Sequence, residues 1–119
     1  MILTTTILKE KNLAINQFIP APKMQIKMNR INVMPDKPTN NTIQCEIKLA
    51  VNILNEEKKD LAIVNLSYIV IAMLEQNDKY EKGDCANRLF NVLQTMYISE
   101  ANGLLRESPF PPIPLNIKC

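Results

Sequence analysis

The side chains able to do covalent or metal chemistry are few: the cysteines Cys45, Cys85 and Cys119, and the close carboxylates Glu56 with Glu57 and Asp78 with Glu81. The chain has no histidine. That removes the general base of a Ser-His-Asp or Cys-His relay and the imidazole ligands of a metal site. The cysteines are odd in number, far apart in sequence and form no Cys-x-x-Cys, so neither a disulfide framework nor a zinc ribbon is expected, and reduced thiols in the cytoplasm are. Cys45 falls on an alternating apolar face, where a free thiol packs as a small hydrophobe. The carboxylate pairs stand among lysines in polar stretches and read as solvated charge, not as acid–base pairs or cation ligands. No glycine-rich phosphate loop occurs. The residues assign no catalytic group, cofactor or metal, and the chain reads as a non-enzyme whose chemistry is binding.

The 119 residues, 46% apolar and 22% charged, fit a single globular domain spanning residues 1–119. The net charge of +2 is too weak to draw nucleic acid. Lys9, Lys11, Lys23, Lys27 and Arg30 gather in the first third, but without interleaved aromatic residues. The start carries no basic leader ahead of its apolar residues, so no secretory signal is read. The most apolar run, residues 61–74, is shorter than the ~20 residues a spanning helix needs and contains Asn65 and Ser67, so no membrane insertion is expected.

Binding must then be built from secondary structure. Ile43, Cys45, Ile47, Leu49, Val51 and Ile53 alternate with mostly polar residues, the period of a strand with one wet face. The polar stretch from Asn55 to Asp60 is a hairpin loop by composition. Residues 61–74 are β-branched and apolar at both parities, which predicts a strand covered on both sides. Upstream, Met24, Ile26 and Met28 share one parity and Ile31 and Val33 the other, a switch that predicts a β-bulge. Pro35 to Asn41 supplies turn residues. A first strand is read around Leu13 and Ile15, ended by Pro20 and Pro22. From Asp84, taken as the N-cap, apolar residues recur at helical spacing from Leu89 to Leu105. Gly103 weakens the last turn, and the prolines at 109, 111, 112 and 114 favour an extended tail. The expected architecture is α+β: a four-stranded antiparallel sheet, its strands joined by hairpin-length connections, with one long C-terminal helix packed on one face.

The order of these elements and several short motifs resemble the SecB protein-export chaperone family. The family's Cys-Pro-Asn and Leu-Phe match Cys85, Ala86, Asn87, Leu89 and Phe90. Its Ile-Ser matches Ile98 and Ser99. Its Phe-Pro-Pro followed by Pro-Ile/Val-Asn-Phe matches Phe110, Pro111, Pro112 and then Pro114, Leu115, Asn116, Ile117. The first-strand motif Lys-Asp-Val-Ser-Phe-Glu falls on residues 11–16, and the second-strand alternation on Met24 to Met28. The resemblance spans about residues 7–117. The chain differs in having several more residues around Gly103 and in ending, at Cys119, without the family's second long helix.

The resemblance implies an ATP-independent molecular chaperone that holds unfolded or nascent polypeptides in apolar grooves. The alternative is the same fold repurposed as a dedicated binder of one protein partner, as in antitoxin-linked chaperones, or as a mobile-element interaction protein. Met24, Ile26, Met28 and Met96 are the expected client groove, methionine being polarisable and able to repack against varied partners. Ile69, Ile71 and Met73, on the strand apolar on both faces, are the expected homo-oligomer interface of a dimer or tetramer. Asn12, Asn16 and Asn65 match positions where the family uses acids to contact the translocase ATPase SecA. Without those carboxylates the charge-assisted contact is lost and docking to SecA is doubtful.

Overall fold

The computed structural model describes residues 1–17 and 23–114. Pro20 and Pro22, Cys119 and the Leu115–Ile117 part of the last motif lie outside the described residues. Four strands, β1 (Ile2–Ile15), β2 (Gln25–Val33), β3 (Thr42–Leu54) and β4 (Asp60–Met73), precede one helix, α1 (Lys82–Leu105). The α+β class and the single four-stranded antiparallel sheet with a C-terminal helix are as the alternation and the helical period indicate.

The two hairpins form for local reasons. Asn40 and Asn41 both take positive φ (50° and 60°) between Thr39 and Thr42, whose backbones exchange hydrogen bonds of 3.0 and 2.9 Å. Asparagine tolerates the left-handed region, and two such residues make the turn whose twist matches a hairpin. In the polar β3–β4 loop the Asn55 side chain accepts from the Glu57 and Lys59 amides at 2.9 and 3.0 Å. Lys58 supplies the left-handed residue there, at φ 62°.

The sheet order is β1-β4-β3-β2. β1 and β2 are therefore not a hairpin: β1 crosses to the far edge and pairs with β4. It is also far longer than the segment around Leu13 and Ile15. Register shifts between Leu3 and Thr5 and between Leu8 and Glu10 break its alternation and hide the strand from a period-two reading. The bulge expected in β2 is absent. β2 pairs with β3 without a slip from Gln25↔Leu54 to Val33↔Glu46. The parity switch instead means that Ile31 and Val33 point to the face opposite Ile26 and Met28.

The core lies between α1 and one sheet face. Ile43 to Ile53 of β3 at odd positions, and Ala62, Val64, Leu66, Tyr68, Val70 and Ala72 of β4, are all buried there. The helix buries Leu89, Phe90, Leu93, Tyr97, Ile98, Ala101 and Leu105 at three- and four-residue spacing and runs nearest to β1 and β4. Its N-cap is Glu81, not Asp84: the Glu81 carboxylate accepts the Gly83 and Asp84 amides, placing Asp84 inside the first turn. An acid there still complements the helix dipole. After the helix, Phe110 and Ile113 return to the core. Asn102 fixes that return, its side-chain amide donating to the Ile113 carbonyl (3.1 Å) and accepting from the Ile113 amide (2.6 Å).

Candidate functional site

β2 is an edge strand, and its two faces differ in chemistry. Toward the helix it presents Ile26, Met28, Arg30 and Asn32. The last two fasten the start of α1. The Arg30 guanidinium lies 4.5 Å from the Phe90 ring centroid and donates to Asn87 Oδ1, and the Asn32 amide donates to the Ala86 carbonyl at 3.4 Å. A cation over an aromatic face adds electrostatic attraction to this packing. Met28, at 6% exposure, belongs to the core cluster; Ile26, Met24 and Met96 are partly buried against it. Of the four residues expected to form a client groove, Met28 thus lies beneath the surface, and the other three retain open area.

The outer sheet face carries the remaining sequence-derived positions. Ile69 and Ile71 are half-buried there and Met73 is 49% exposed, beside Ile2 (54%) and Ile7 (51%) on β1. The second face of β4 is therefore apolar, as its composition indicates, but within one chain it is only partly covered. Asn12 and Asn65 stand opposite one another in the β1–β4 register, and Asn65 Nδ2 donates to Asn12 Oδ1 at 3.2 Å. Asn16 lies beyond the end of β1, its amide 3.4 Å from the Asp60 carbonyl oxygen. The two paired asparagines form one amide patch, and the third does not join it.

Between these regions the outer face is shallow. Ala50 and Ser67 are small, and with Ile31, Glu10, Lys48 and Asn65 around them they leave a depression of about 280 Å³. Beside it Glu46 accepts from Lys9 Nζ and Ser67 Oγ, both at 3.3 Å, with Lys48 Nζ at 3.7 Å. The Lys9 hydrogen bond first, then the charges of Lys9 and Lys48, hold the Glu46 carboxyl below the usual carboxylate range. Ile31 (63%) and Val33 (56%) project from the same face at the open edge. In the sequence these two residues read as the sign of a bulge, not as exposed surface. The signal was their parity, which places a pair of apolar side chains two apart on a wet face.

Burial holds three groups of the core toward their neutral forms. Burial first, then Cys85, pushes the Cys45 thiol up to about 11, and burial pushes Tyr68 up to about 12 and Tyr97 higher still. All three are neutral at physiological pH. Among the described residues no group of three His, Cys, Asp or Glu side chains could hold a metal ion. Among the described residues no helix is long and apolar enough to cross a membrane.

No protein-family model matches the chain, and no curated protein does. Among solved structures it is similar to the SecB-like chaperone Rv1957 of Mycobacterium tuberculosis in complex with a ChAD peptide from the Rv1956 HigA1 antitoxin. The TM-score is 0.65 and the identity 16%, over 98% of this chain and 89% of that one. The sheet order and the position of α1 are thus those of a SecB-like fold, reached with a widely divergent sequence.

Proposed function

We propose that the protein is an ATP-independent chaperone that holds unfolded polypeptide on the apolar surface its sheet leaves open. The observation that carries this reading is the exposure of large apolar side chains in an otherwise well-packed domain: Ile2, Ile7, Ile31 and Val33 are each more than half exposed. Isolated exposed apolar residues are ordinary, but these gather along sheet edges and the outer face. Holding a client needs only such surface, and no catalytic residue or nucleotide. The SecB-like fold supports the reading. In it, Met24 and Ile26 at β2 and Met96 on α1 are the adaptable contacts, and Met28 lies beneath the surface. Ile69, Ile71 and Met73 are the surface for self-association into a dimer or tetramer, and the compartment is the cytoplasm. The amide pair of Asn12 and Asn65 offers no carboxylate for a translocase contact.

A second reading, a dedicated binder of one protein, is favoured by the antitoxin peptide held by the similar Mycobacterium tuberculosis chaperone. Affinity isolation from the native cell separates the two: many unrelated clients support general holding, and one stoichiometric partner supports dedicated binding. Failure of the purified protein to slow aggregation of a chemically denatured client, with nothing recovered from the cell, would defeat both.

A further inference from the structure

The sequence holds one Asn-Gly pair, Asn102–Gly103, and it lies in the last turn of α1. Asparagine before glycine is the pair most open to loss of its carboxamide, because the glycine amide carries no side chain to hinder ring closure. Asn102 is also the clasp of the tail. Its side chain donates to the Ile113 carbonyl at 3.1 Å and accepts from the Ile113 amide at 2.6 Å, and its own carbonyl accepts the Arg106 amide at 3.0 Å. Those bonds hold a segment that buries Phe110 and Ile113. The closure is not tight. A hollow of about 380 Å³ opens beside the clasp, lined by Asn102, Leu105, Arg106, Phe110 and Pro112. Gly103 is exposed, and a methyl group on it would meet nothing within 4 Å, so no contact requires the glycine that weakens this turn. The last turn also carries no basic residue to offset its dipole.

We propose that Asn102–Gly103 is a self-modification site, which reacts when the tail lifts and then leaves the tail permanently loosened. While the clasp is closed, the Gly103 amide is held in the helix and the Asn102 carboxamide by Ile113, and neither is free to close a ring. Local opening of the last turn frees both. The Gly103 nitrogen gives its proton to solvent and attacks Asn102 Cγ. The new bond replaces the one to the carboxamide nitrogen, which takes up a proton and leaves as ammonia. Water then opens the succinimide at either carbonyl, giving aspartate or isoaspartate. Neither product refastens the tail as before. An ionised carboxylate has no proton for the Ile113 carbonyl, sets negative charge against it, and adds that charge at the negative end of the helix dipole. Isoaspartate also lengthens the main chain by a carbon inside the turn. The step needs water and no enzyme, and it stands apart from the holding function proposed above.

The test incubates the intact protein at neutral pH with and without urea and maps it by peptide mass spectrometry, with isoaspartate located by methyltransferase labelling. Conversion at residue 102 should be about tenfold or more slower in the folded chain. Gly103→Ala, which the open space accommodates and the helix favours, should keep the fold and remove most of the conversion in urea. Asn102→Asp stands for one product, and trypsin cleavage after Arg106 reads the lifted tail. That cleavage should quicken about three- to tenfold over the wild type, with the circular dichroism of the sheet unchanged. Wild-type protein aged to partial conversion gives the same reading without a substitution, its converted fraction being cleaved first. Equal conversion with and without urea overturns the proposal, as does undiminished conversion in Gly103→Ala. Cleavage after Arg106 no faster in Asn102→Asp and in the aged fraction than in fresh wild type overturns it as well.

Discussion

Truncating Met28 should unfold the domain more readily without touching its client surface. Met28 is 6% exposed, sits opposite Val51 at 0%, and is part of the main core cluster. A buried methionine cut to alanine costs about 2–5 kcal/mol, through lost transfer energy and the cavity left behind. β2 is an edge strand with an open side, so its neighbours can relax, and the lower half of that range, about 2–3 kcal/mol, is expected. Against a total of about 5–15 kcal/mol this is a large loss. With a urea slope of about 1–3 kcal/mol/M, the Met28→Ala midpoint should fall by about 0.7–3 M. Met24→Ala, at a partly exposed site outside the strand, should stay within about 0.5–1 kcal/mol. The assay is urea denaturation followed by circular dichroism at one fixed protein concentration, because self-association would make stability concentration-dependent. A Met28→Ala midpoint equal to the wild type, with client protection lost, would show that Met28 faces the client and that the packing argument is wrong.

Three further outcomes are expected. The Tyr68 and Tyr97 hydroxyls are buried without a hydrogen-bond partner among the described residues, their rings 5.0 Å apart. Tyr68→Phe or Tyr97→Phe should therefore raise stability by about 1 kcal/mol in thermal melts, where a satisfied hydroxyl would give a loss. Glu46 has its carboxyl lowered from 4.5 by Lys9, so its folded state binds fewer protons than the unfolded chain as the pH falls. Its stabilisation is full above that unfolded value and is lost as pH drops through the lower folded one, and Glu46→Gln should flatten that acid limb in pH-dependent melts. Converting the amide pair to acids, Asn12→Asp with Asn65→Glu, replaces a hydrogen bond with two facing carboxylates. The double variant should lose about 0.5–1 kcal/mol more than the sum of the singles in a double-mutant cycle, the excess shrinking with added salt.

The parts of the fold readable in the sequence are those where one periodicity runs uninterrupted. β3 alternates from Ile43 to Ile53 because one face is core and the other wet, and α1 repeats at helical spacing because its buried stripe is continuous. The β1 strand was hidden by its two bulges, which shift the parity of a threonine-rich run. In β2 the reverse happened: a regular strand resembled a bulged one, because Ile31 and Val33 are apolar on an exposed face. Hydrophobic pattern reports burial, and these two residues are apolar without being buried. The N-cap was misplaced for a related reason. Asp84 and Glu81 are both acidic, and only the backbone geometry shows which carboxylate reaches the free amides. The expected groove divided for a reason no sequence contains: Met28 and Met24 share a parity, but only Met28 lies within the strand and under the helix side of the core.

The methionines allow the most direct test, because they are distributed over both faces of the sheet. Met24, Met28 and Met96 lie on the helix side, Met73 on the outer face. A methyl-labelled methionine spectrum recorded during titration with an unfolded, reduced client and no nucleotide reports each separately. The account predicts that Met24 and Met96 shift with client concentration and that Met28 and Met73 move little. Methionine signals unchanged at saturating client, or a response confined to Met73, would contradict it.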